Sequence, residues 1–118
     1  MEMPLIIEAG EKIHVVYRSM YEKSTRRHFV GTILAAEKAL CRVQGYVFVY
    51  DDKKTEFVKK DGLRTTIFDL AESGYVVNII DPSVELNDVH YRYMSGEGLM
   101  ATDGKGFLLN INEFGSKS

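Results

Sequence analysis

The sequence predicts an all-β protein: a strongly bent, antiparallel small barrel with additional hairpin strands toward the C-terminus. Three observations point there. No segment of ten or more residues carries a sustained i, i+3, i+4 apolar stripe, so no helix would have an apolar face to bury. About eight or nine short runs rich in β-branched and aromatic residues recur at close spacing, separated by Gly, Asp, Pro and Ser. The longest run, Ala39–Tyr50, has two unlike faces and a glycine, Gly45, inside it.

The elements follow in chain order. Residues 1–11 read as an arm or short edge strand, ended by Gly10. Ile13–Arg18 is a strand by composition, and the polar Tyr21–Arg26 is a loop. Arg27–Ala35 forms the next strand, with a short polar break at Glu37-Lys38 before Ala39–Tyr50. Asp51-Asp52-Lys53-Lys54 is a turn leading into a strand over Thr55–Lys59. Asp61-Gly62 is a further turn, Arg64–Phe68 a short strand, and Asp69–Gly74 a single helical turn stopped by glycine. Tyr75–Ile80 is an almost continuous apolar run and reads as a central strand buried on both faces. After the Asp81-Pro82-Ser83 turn, Val89–Met94 alternates Val89, Tyr91 and Tyr93 against His90, Arg92 and Met94. Leu99–Thr102 and Phe107–Ile111 flank Asp103-Gly104-Lys105-Gly106 as a final hairpin, and residues 115–118 form a frayed tail.

A length of 118 residues suits one domain, 1–118, large enough for a core without covalent staples. Its single cysteine, Cys41, excludes an intrachain disulfide and a Cys-rich zinc site. The N-terminal residues lack the basic and apolar regions of a signal peptide, and no apolar stretch approaches the ~20 residues of a membrane helix. A cytoplasmic protein, bacterial in style and without membrane contact, is the expectation. Net charge is −2, but residues 12–64 hold 12 Lys+Arg against 6 Asp+Glu, a balance of +6. Residues 65–118 hold 3 against 8, a balance of −5. Such asymmetry marks either a polyanion-binding face, halves that neutralise each other in one domain, or head-to-tail contacts between subunits.

Twelve extended residues span roughly 40 Å, too long to pack flat in a domain of this size. The strand should therefore bend, and Gly45 is the place, because interior glycines mark bulges and barrel corners. One face carries Ala39, Cys41, Val43, Val47 and Val49, small and branched residues suited to a narrow interior. The other carries Arg42, Gln44, Tyr46, Phe48 and Tyr50. This aromatic stripe either packs under a neighbour or serves as a contact surface. Rings interleaved with cations are what binders of single-stranded nucleic acid use, and Tyr with Arg is also enriched at subunit interfaces. The candidate binding residues are Arg26, Arg27, Arg42, Tyr46, Phe48, Tyr50, Lys59 and Lys60, with Lys53 and Lys54 as further cations.

Phe29-Val30-Gly31-Thr32-Ile33, then Ala36-Glu37, then Leu40-Cys41-Arg42-Val43, resembles the first signature of the Sm-like RNA-associated small barrels. Gly31 falls at the signature's glycine and Glu37 at its acidic turn position. Cys41 stands where the family has a base-contacting asparagine, and the family's second signature is absent. The resemblance covers about 15 residues of the 118. The chain also looks like a small group of bacterial proteins without an assigned role. What the Sm-like resemblance implies is a bent barrel core of the SH3-like or Sm-like kind that assembles into rings by edge-strand pairing, decorated by the strands after residue 80. It implies RNA binding only loosely.

No catalytic motif is visible, and no cofactor is implied. His14, His28 and His90 each fall in a predicted strand, as packed or surface residues, and none stands at metal-ligand spacing from another. His14 and His28 can face each other across adjacent strands, where Glu37 or Asp69 is a conceivable further metal ligand. Cys41, on the apolar face, is expected to be an inert core thiol. Gly96-Glu97-Gly98 and Gly104-Lys105-Gly106 lack the strand-to-helix context of a phosphate loop. Three functions stay open: a non-enzymatic binding or assembly module, self-associating as a homo-oligomer or taking a protein partner; an RNA or single-stranded DNA binder; and a small-ligand binder or enzyme with a site at the barrel mouth.

Overall fold

A computed structural model describes residues 6–17, 26–71 and 75–111. It is all-β, with two antiparallel sheets and one short 3-10 turn among the described residues. The strands are β1 (Lys12–Val16), β2 (Arg27–Glu37), β3 (Leu40–Asp51), β4 (Glu56–Lys59), β5 (Arg64–Asp69), β6 (Val76–Ile80), β7 (His90–Met94), β8 (Gly98–Thr102) and β9 (Leu108–Asn110). The 3-10 turn, Leu86–Asp88, links the two sheets. No helix among the described residues is long and apolar enough to cross a membrane.

The large sheet runs β4-β3-β2-β1-β6, with β5 also on β3. Its spine is the β2–β3 hairpin, closed at Lys38, which takes a left-handed φ of 55°. Two strands share the far edge of β3. β5 pairs with Leu40–Gly45, and β4 pairs with Phe48–Asp51. The internal glycine thus sits at the changeover.

Alternation along β3 divides the hydrophobic residues into two cores. Cys41, Val43 and Val47 join Ile13, Val15, Phe29, Ile33 and Phe68 on the inner face. The Phe68 ring lies 5.7 Å from Tyr17 and 5.6 Å from Tyr75, so side chains from opposite ends of the sheet meet. That contact requires a curled sheet. The curl is not closed by hydrogen bonds: among the described residues no ladder joins β5 to β6. On the outer face, Val30, Phe48, Phe57 and Ile80 pack against Val84, Val89, Leu99, Ala101 and Ile111, which belong to the second sheet, β7-β8-β9, and its flanking segments.

Two sequence expectations need correction. Tyr75–Ile80 is not a central strand. β6 pairs with β1 alone among the described strands, and Val76 and Ile79 are 41% and 57% exposed. An all-apolar run reads as doubly buried because periodicity cannot separate that case from an unguarded edge. Residues 6–11 form bends and a turn, not an edge strand, and are tied down where the Gly10 amide donates to Ile33 O at 2.7 Å. Residues 1–5 of the arm, Arg18, most of the 21–26 loop, 72–74 of the expected helical turn and the 115–118 tail lie outside the described residues.

Candidate functional site: the covered aromatic face and the open sheet edge

The outward residues of β3 meet two different environments. Phe48 is 1% exposed, and Tyr46 and Tyr50 are half-buried against the second layer. The cations nearby are engaged with these rings. The Arg26 guanidinium lies 3.9 Å over Tyr50, and Lys59 Nζ lies 4.0 Å over Tyr46 while donating to Asn87 O and Oδ1 at 3.1 Å. Such contacts hold rings and cations against the protein's own surface. The structure therefore brings together Arg26 with Tyr50 and Lys59 with Tyr46. Arg27, opposite Val49 on the other face, and Lys60 and Arg42 are exposed and apart from that group. As the residues stand, this stripe is an inter-sheet seam with its cations in place, not an open row of rings.

At the centre of the seam lies a polar cluster. Antiparallel register puts His14 of β1 opposite Val30, and His28 of β2 opposite Phe48, on the outer face. Both histidines are 0% exposed, and their rings meet edge to face with centroids 5.0 Å apart. From β7, the Tyr91 hydroxyl reaches His14 Nε2 at 2.8 Å and His28 Nδ1 at 2.6 Å. Its ring stacks on Phe57 at 4.6 Å. One hydroxyl proton cannot serve two acceptors, so one imidazole must donate. His14 Nδ1 is buried without a hydrogen-bond partner. A proton there would be an orphaned donor, costlier than a bare lone pair. His28 Nε2 is buried in the same way, so the two choices are equivalent on this count: one imidazole donates to Tyr91 Oη, and the hydroxyl donates to the other. Burial lowers the His14 pKa to about 4 and pushes the Tyr91 phenol well above its usual range, so both are neutral near pH 7.

The sequence anticipated that His14 and His28 face each other but missed Tyr91 as their partner; inter-sheet docking has no pattern in a single strand. No group of three or more His, Cys, Asp or Glu able to hold a metal occurs among the described residues. Burial also raises the Cys41 thiol, leaving it a weak nucleophile. The described surface hollows, such as that lined by Tyr50, Asp51, Lys53, Lys54 and Lys60, open to solvent.

The second sheet is further pinned by polar contacts at its rim. Lys12 Nζ donates to Pro82 O at 2.7 Å and to Val84 O at 2.6 Å, and the Tyr93 hydroxyl donates to Thr55 O at 2.9 Å. Among the described residues β4, β5, β6, β7 and β9 each have a strand on one side only, and of these β6 is the one without a charged residue or proline, apart from the short β9. All five residues of β6 pair with β1 on one side. The other side has no strand among the described residues.

No protein-family model, curated protein or solved structure matches the chain.

Proposed function

We propose that this protein is a non-enzymatic assembly module that takes a further β-strand, from a second copy of itself, at the open edge of β6. One observation carries the reading. Val76-Val77-Asn78-Ile79-Ile80 ends a six-stranded sheet with no charge and no proline, while Val76 and Ile79 stay exposed. Monomeric sheets guard their edges with lysine, proline or bulges, and an unguarded apolar edge is a template for strand addition. A strand added there would carry the curled sheet further round, toward the closed barrel that the sequence pattern anticipates. The aromatic half of β3, turned inward on the second sheet, has no part in this contact.

The test is the mass in solution by size-exclusion chromatography with light scattering. The wild-type chain should exceed its 13.4 kDa single-chain mass, and Val76→Lys/Ile79→Lys should lower that mass. A wild-type chain that stays single at every concentration, or a lysine variant of unchanged mass, removes the reading.

A further inference from the structure

The second sheet covers only part of the outer face of β3. Beyond Tyr46 the same face runs on bare through Gln44, Arg42 and Leu40. Around it the apolar side chains of Leu34, Leu40, Leu63 and Ile67 are 46%, 51%, 55% and 62% exposed. Leu34 is the extra residue where the register of β2 shifts against β3 between Ile33 and Ala35.

Register arranges this wing in two cross-strand rows. One is Ala35–Arg42–Ile67, and the next is Glu37–Leu40–Asp69. The first is positive at its centre with apolar flanks. The second is apolar at its centre with negative flanks. Among the described residues the side chains of Arg42 and Glu37 make no hydrogen bond or ion pair. An arginine without a partner, set among exposed branched side chains, has the composition of an interface.

We propose that this wing is a self-complementary docking face for a second copy of the chain, related by a two-fold axis that crosses the strands between the two rows. Two sheets packed face to face stand about 10 Å apart. About that axis each row lies over the other row of the second copy. Arg42 then lies over the partner's Leu40, about 4.8 Å, one strand spacing, to the side of the partner's Glu37 and the partner's Asp69. A guanidinium reaches either carboxylate from there. An axis running along the strands would instead stack Arg42 on its own copy, so charge selects the crossing axis. The apolar patch is roughly a few hundred Å², which fits a concentration-dependent pair more than a permanent one. This contact uses no residue of β6 and stands apart from the edge reading.

The test uses sedimentation velocity on the chain carrying Val76→Lys/Ile79→Lys, which removes edge pairing. Its mass should rise from one chain toward two with concentration. Adding Arg42→Glu sets like charges against each other and should weaken that pairing more than tenfold. Adding Glu37→Arg to that variant restores an opposite pair and should recover most of the loss. Should the lysines unfold β6, the same Arg42→Glu and Arg42→Glu/Glu37→Arg variants in the wild-type chain give the answer: mass falls with the first and recovers with the second. A background chain that stays single throughout, pairing indifferent to Arg42→Glu, or a double variant no better than the single one each overturns the proposal. Loss of mass in the lysine variant alone, with the Arg42 variants behaving as stated, leaves this face intact and tests only the edge.

Discussion

Gly45 of β3 lies directly across from Gly31 of β2, and the two backbones approach so closely that neither has room for a methyl group. A Cβ on Gly45 would stand 1.9 Å from the Val30 carbonyl oxygen and 2.5 Å from Gly31 Cα. Those are backbone atoms of the central ladder and cannot swing aside. At Gly31 a Cβ would stand 2.7 Å from the Gln44 carbonyl oxygen.

Gly45→Ala should therefore cost about 3 kcal/mol or more, or abolish folding, because the β2–β3 spine must part to admit it. Gly106→Ala is the control: a Cβ there meets nothing within 4 Å. Urea unfolding of both variants decides it. Equal stability would mean that the paired glycines do not hold the hairpin together as described.

Tyr91→Phe keeps the ring on Phe57 and deletes only the hydroxyl that joins the two histidines. It should cost about 2 kcal/mol, the range for leaving buried polar atoms without a partner. Tyr93→Phe loses a hydrogen bond to Thr55 O on a side chain 59% exposed, and should cost well under half of that. Denaturant midpoints with unchanged slopes would test the pair. A neutral Tyr91→Phe would show that the hydroxyl does not hold the sheets together.

Stability should fall in mild acid. In the folded chain His14 titrates at about 4 and in the unfolded chain near its ordinary 6.5. Between those values the unfolded state binds more protons, so unfolding becomes easier as pH drops from about 6.5 to about 4, then levels off for this group. The full loss is on the order of 3 kcal/mol. His14→Gln removes the titration and keeps a donor, so its stability should change less over that window. Unfolding free energies of both chains at pH 7 and 4.5, compared as a difference, cancel the carboxylates common to both. Parallel curves would show that His14 does not titrate differently in the folded state.

Much of the architecture was legible. Alternation over Ala39–Tyr50 put Cys41, Val43 and Val47 on one face, and they are in one core. Turn chemistry placed the hairpins at Asp51–Lys54 and Asp103–Gly106, and the chain turns at both. The status of Val76–Ile80 was not legible, since apolar residues on both faces suit a buried strand and a bare edge equally. Nor was the fate of the aromatic stripe. Tyr46, Phe48 and Tyr50 look the same in sequence whether they face water, a partner or the chain's own β7, and Tyr91 lies more than forty residues further on.

The sequence by itself determined where the backbone extends, where it turns and which side chains share a face, because those follow from local sterics and a two-residue period. Only the tertiary structure decided which faces are covered. Whether a strand is inner or outer, and whether His14 and His28 meet each other alone or meet through Tyr91, depends on which distant segment packs on the sheet. That choice is made by summed burial across the whole chain, and no single strand records it.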